Sequence, residues 1–100
     1  MEEQELLLKA RRAYQTLRPG FTADDIETAV REYGMLRKSE LVHGKTYEGW
    51  CRNANKAVWD MDTQRFTYQR TKFNQTFPET IEHPEDDSGF DIFVPVKILD

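Results

Sequence analysis

Apolar residues in the first third of the chain recur at helical spacing. Leu6, Ala10, Ala13, Tyr14 and Leu17 fall three or four positions apart and line one face of a helix over residues 3–18. Acids lead this stretch (Glu2, Glu3, Glu5) and bases follow (Lys9, Arg11, Arg12, Arg18), the order that suits a helix macrodipole. Pro19-Gly20 ends it. A second stripe, Ile26, Ala29, Val30 and Tyr33 continuing to Leu36 or Leu41, predicts another helix with Arg37 and Lys38 near its C-terminal end. Thr22 is a good N-cap, with Asp24, Asp25 and Glu27 beside the free N–H groups of the first turn. Phe21 and Ile26 have the spacing of a hydrophobic staple. The short link between the stripes makes them a helical hairpin.

After His43-Gly44 the period changes to two. Tyr47, Gly49 and Cys51 alternate with Glu48, Trp50 and Arg52, and a turn at 53–55 leads to a strand over Lys56–Asp60. That strand shows Ala57 and Trp59 on one face and Val58 on the other. A polar connection over 60–64 leads to Phe66–Phe73, with Phe66, Tyr68, Arg70 and Lys72 on one face. Pro78 marks the next strand, Phe77–His83, as an edge or a bulge. The last strand puts Phe90, Ile92, Val94, Val96 and Ile98 on one face, and Pro95 places it at an edge too. The expected fold is α+β: a helical hairpin over 1–43, then over 44–100 a curved antiparallel sheet or half-barrel of about five strands.

One domain fits 100 residues, of which 38% are apolar and 12% aromatic. No apolar run reaches the roughly 18–20 residues of a membrane span. The acid-led N-terminus is the reverse of a secretory signal, and the single Cys51 cannot form an internal disulfide. Together these lead to an expected cytoplasmic location.

The net charge of −4 disfavours a general nucleic-acid coat, but the charge is unevenly spread. From Gly44 to Gln75 the bases Lys45, Arg52, Lys56, Arg65, Arg70 and Lys72 face only Glu48, Asp60 and Asp62. From Thr76 to Asp91 the acids Glu79, Glu82, Glu85, Asp86, Asp87 and Asp91 stand without a base. The dense part of that run, Glu85, Asp86 and Asp87, reads as a solvated turn or an electrostatic docking surface.

Catalytic signatures are absent from the sequence. A thiolate at Cys51 would need a base and an orienting group, and neither His43 nor His83 is tied to it by spacing. The acids at 82–91 lack the alternating ligands and distal glutamate of a calcium loop, so no metal or cofactor is expected. A helix-turn-helix reader is disfavoured, because the second helix begins with acids.

The stretch with most recognition chemistry is basic and aromatic: Trp50, Arg52, Asn53, Lys56, Trp59, Tyr68, Arg70 and Lys72. Stacking rings and guanidinium forks are what a nucleotide or single strand requires, while the same residues also serve as core and solvated face. The string Tyr47-Glu48-Gly49-Trp50-Cys51-Arg52-Asn53-Ala54, with Val58-Trp59, Phe66-x-Tyr68-x-Arg70-x-Lys72-Phe73 and Ile81-x-His83-Pro84-x-Asp86-Asp87-x-Gly89-Phe90-Asp91-x-Phe93, resembles small uncharacterised proteins of phages, prophages and other mobile elements. The resemblance covers the C-terminal half and supplies no catalytic residues. It implies an accessory protein that blocks a host factor or captures a host signal. The expected function is therefore non-catalytic binding of a host protein or a small anionic ligand. Single-stranded nucleic-acid binding by the same face is the alternative, and a small hydrolase using Cys51 or the Asp/Glu set is a further one.

Overall fold

The cap at Thr22 forms as its sequence predicts. The Asp25 N–H donates to Thr22 Oγ1 and the Thr22 N–H donates to an Asp25 carboxylate oxygen, a reciprocal capping box. A computed structural model describes residues 3–86 and 91–99, and Asp87 and Phe90 of the expected site and strand lie outside them. Helix α1 spans Glu3–Thr16 and α2 spans Ala23–Tyr33. The second helix stops sooner than its apolar stripe suggests. Gly34 takes the left-handed conformation (φ 74°) and its N–H closes on the Ala29 carbonyl, so Leu36 and Leu41 lie beyond the helix. A 3-10 turn over Lys38–Glu40 follows in the linker.

Five strands make one antiparallel sheet: β1 (Thr46–Trp50), β2 (Lys56–Asp60), β3 (Arg65–Lys72), β4 (Gln75–Glu82) and β5 (Val94–Ile98). Their order is β4-β3-β2-β1-β5, which puts the two proline-bearing strands at the edges. A parallel bridge joins Glu82, at the end of β4, to Ile92, just before β5. The sheet is open and does not close into a barrel.

Two clusters share the sheet between them. Tyr47, Cys51, Ala57, Trp59, Phe66, Tyr68, Ile81 and Phe93 fill one face together with Leu41 from the linker. On the other side α1 packs on β1, β5 and α2, and Ala13, Leu17, Ile26, Ala29 and Met35 meet Ile92 and Val94. The segment from Ile92 to Pro95 is buried throughout, with Phe93 in the first cluster and its neighbours in the second. The alternation places Ile92, Val94 and Val96 on one side as expected, but the residues between them, Phe93 and Pro95, are buried as well. Ile98, at the far end of that face, is 40% exposed. A bulge between Glu48 and Gly49 shifts the β1–β5 register, and the strands come so close that a Cβ on Gly49 would stand 1.9 Å from the Val94 carbonyl oxygen.

Candidate functional site

The basic-aromatic residues do not share one face. Strand pairing puts Glu48 opposite Lys56, on the helix side of the sheet with Trp50. The Arg11 guanidinium of α1 lies 5.5 Å from the Trp50 ring centroid, a cation–π contact that half-buries the indole. Arg52 is exposed and near the Tyr14 phenol, whose pKa burial raises and the arginine charge opposes. Trp59 is core: it is 1% exposed, with its ring 4.8 Å from that of Phe66.

The remaining four, Asn53, Tyr68, Arg70 and Lys72, belong to the other side. Asn53 sits in the β1–β2 loop, which the Cys51 N–H shapes by donating to the Ala54 carbonyl (3.0 Å). Its Nδ2 donates to the Tyr68 hydroxyl (3.3 Å), and that hydroxyl donates to Glu79 Oε2 (3.1 Å). Arg70 Nη1 reaches Glu79 Oε1 at 3.2 Å. Burial, and with it the Glu79 carboxylate, raises the Tyr68 pKa and keeps the phenol a donor. Loop and strand are thus tied into one polar rim. Glu79 is its hub, and the sequence did not single it out. The β3–β4 register, which pairs Tyr68 with Glu79, is what brings it there.

Beyond this rim the hairpin continues as a two-stranded ribbon. Paired residues run from Arg65↔Glu82 to Lys72↔Gln75, but the ladder between β2 and β3 covers only Arg65, Phe66 and Thr67. Phe73 and Asn74 form the turn at the tip with φ of 53° and 62°, both left-handed, and Phe73 is 88% exposed. Two left-handed residues are what a two-residue hairpin turn requires, and asparagine takes that conformation far more readily than phenylalanine. The Lys72 ammonium stands 5.5 Å from the Phe73 ring centroid. On the helix side, where β2 and β3 part, a depression of about 350 Å³ opens among Thr46, Lys56, Ala57, Val58, Thr67 and Gln69.

The acidic turn is engaged within the chain. Glu85 Oε1 accepts from the Lys38 backbone N–H (2.9 Å), and Asp86 pairs with Lys38 Nζ (2.8 Å). Pinned under this contact is His83, wholly buried. Its Nε2 donates to the Leu36 carbonyl (2.8 Å) and its Nδ1 accepts from the Glu85 N–H (3.0 Å), so one neutral tautomer satisfies both. Burial pushes its pKa below the usual value. Glu48 is buried too, and its Oε1 has no hydrogen-bond partner among the described residues.

Two reactive possibilities are placed by geometry. The Cys51 thiol donates to the Ala54 carbonyl (3.3 Å), and burial raises its pKa against the opposing effect of backbone hydrogen bonds at Asn53 and Ala54, which favours the thiol over the thiolate. His43, Asp60 and Asp62 bring ligand atoms within 4.8 Å of one another. His43 Nδ1 accepts the Met61 N–H, and Asp60 Oδ1 accepts the N–H groups of Asp62 and Thr63, so these atoms already shape the β2–β3 turn.

Compared with known proteins, the chain matches no family model, no curated protein and no solved structure.

Proposed function

We propose that this chain is a non-catalytic binding module, of the accessory kind implied by its resemblance to phage proteins, and that it holds a protein partner along the rim of the β1–β2 loop and the β3–β4 ribbon. The observation that carries the reading is the hydrogen-bonded chain Asn53–Tyr68–Glu79–Arg70. It fixes donors from two elements in one geometry at the surface, which removes the ordering cost that a mobile rim would add to binding. A protein suits this rim better than a free anion. Arg70 and Arg65 are already paired with Glu79 and Glu82, so a small anion would have to displace an internal carboxylate to reach either guanidinium. No helix among the described residues is long and apolar enough to cross a membrane.

The test is affinity capture from the native host, followed by binding of the purified partner to variants. Asn53→Ala and Arg70→Ala weaken binding at least about tenfold, or about 1.4 kcal/mol, with melting temperatures nearly unchanged. Arg52→Ala, on the far side of the loop, asks whether the interface wraps around it. Full affinity in the Asn53→Ala/Arg70→Ala double variant would remove the rim as the working surface. An affinity that falls steeply with salt, for a partner that is single-stranded nucleic acid, would favour the alternative.

A further inference from the structure

Strand β3 outruns its neighbour. It pairs with β2 only as far as Thr67 and with β4 as far as Lys72, so from Tyr68 to Lys72 one edge of β3 has no strand beside it among the described residues. Free edges of this kind template pairing with another strand, and proteins usually blunt them with charge, proline or bulges. The outer edge, on β4, carries Pro78, but the inner edge carries no proline and no bulge. Where the free edge begins, the mostly apolar depression opens against Val58, which is 38% exposed. Where it ends, Phe73 stands almost fully exposed in a left-handed conformation that a bulky side chain adopts at a cost. Among the described residues the ring meets only the Lys72 ammonium, and the tight turn alone holds Phe73 in its left-handed conformation.

We propose that two copies of the chain associate across a two-fold axis through these free β3 edges, each seating its Phe73 in the depression of the other. Antiparallel pairing centred on Arg70 sets Thr71 opposite Gln69 and Lys72 opposite Tyr68, stops short of Thr67, which Val58 already pairs, and leaves the Phe73 tip beside the depression. A single self-complementary patch then closes the assembly at two copies. Charge agrees with this register. Among the described residues Lys72 makes only its contact with the Phe73 ring, and this register brings its ammonium onto the same sheet face as Glu79 of the other copy, one strand beyond Tyr68. Arg70 faces Arg70 at the axis, where each guanidinium is held by its own Glu79. The shared edge is short, and the area buried falls at the low end of specific interfaces, below about 1,200 Å² in total. The dimer is therefore reversible rather than obligate. This association does not depend on the rim having a partner.

Sedimentation velocity on the full chain from about 5 to about 500 µM tests it, a range that spans the affinities of small interfaces. The native chain passes from monomer to dimer across that range. Phe73→Gly, which suits a left-handed turn and keeps the fold, weakens the dimer at least about tenfold, as does Val58→Glu in the depression. Arg70→Cys should cross-link to itself under mild oxidation, because directly opposed residues in an antiparallel pair lie about 4.5–5.5 Å apart at Cα, within disulfide reach. A chain that stays monomeric throughout overturns the proposal. So does a dimer indifferent to Phe73→Gly, or an Arg70→Cys variant that cross-links no faster than Thr80→Cys on β4.

Discussion

The two ends of the β3–β4 hairpin use the same pair of strands to opposite purpose. At the base, Phe66, Tyr68 and Ile81 are 0%, 6% and 4% exposed, and Phe66 sits among the rings of Trp59, Tyr47 and Phe93. At the tip, Phe73 is 88% exposed. Between them the ladder does not change: every residue from Arg65 to Lys72 has its cross-strand partner. Hydrogen-bonded pairing is therefore indifferent to whether a core lies beneath it. The ribbon persists on cross-strand pairs such as Thr71 with Thr76, whose hydroxyls lie 3.2 Å apart, and on the anchorage of its base, since an isolated hairpin is marginal in water.

The contrast can be broken most severely at the base. Phe66→Ala removes a ring wholly enclosed by other rings and should cost about 3–5 kcal/mol in urea unfolding. Acid acts at the same end, because His83 closes it. Its folded-state pKa lies below the unfolded value near 6.5, so the unfolded chain takes up a proton that the folded chain refuses. The stability tied to His83 is full above about pH 6.5 and declines as pH falls below that value, and His83→Gln should flatten this part of the curve of stability against pH. At the tip the sign reverses. Phe73→Gly relieves a left-handed aromatic and should raise the unfolding free energy by about 0.5–1 kcal/mol, measured on dilute monomer. Smallest of all is Arg70→Ala. Its ion pair with Glu79 is about a third exposed on either side, and its loss should move stability by no more than about 0.5 kcal/mol.

Local signals carried the helices and most of the sheet. Thr22, Asp25 and the Phe21–Ile26 spacing fix the start of α2 within a few residues of one another, and such information is readable in one dimension. The end of α2 was also written, in Gly34, but the apolar residues Met35, Leu36 and Leu41 hid it because the linker packs into the core as a helix would. The two edge prolines marked edges for a local reason, the missing N–H. What stayed hidden was long-range. Lys38 meets Glu85 and Asp86 across the molecule, so an acidic run that reads as free charge is partly spoken for. Trp50, Lys56 and Trp59 lie close in sequence, yet sheet pairing and α1 send them to different faces and depths. Glu79 and Phe73 needed the β3–β4 register, which the dipeptide Phe73-Asn74 between two polar alternating runs could have supplied as a hairpin signal.

The doubly buried segment from Ile92 to Pro95 has a kinetic consequence. Both clusters need it: Phe93 completes one, Ile92 and Val94 the other, and Val94 pairs with distant Trp50. Closing so long a loop costs entropy before any contact returns it, so docking of this segment belongs to the rate-limiting step. Until it docks, neither helices nor sheet has a finished interior. The helical hairpin and the sheet should then open together rather than as separate foldons, and core amides of α2 and β3 should exchange with solvent at one shared free energy.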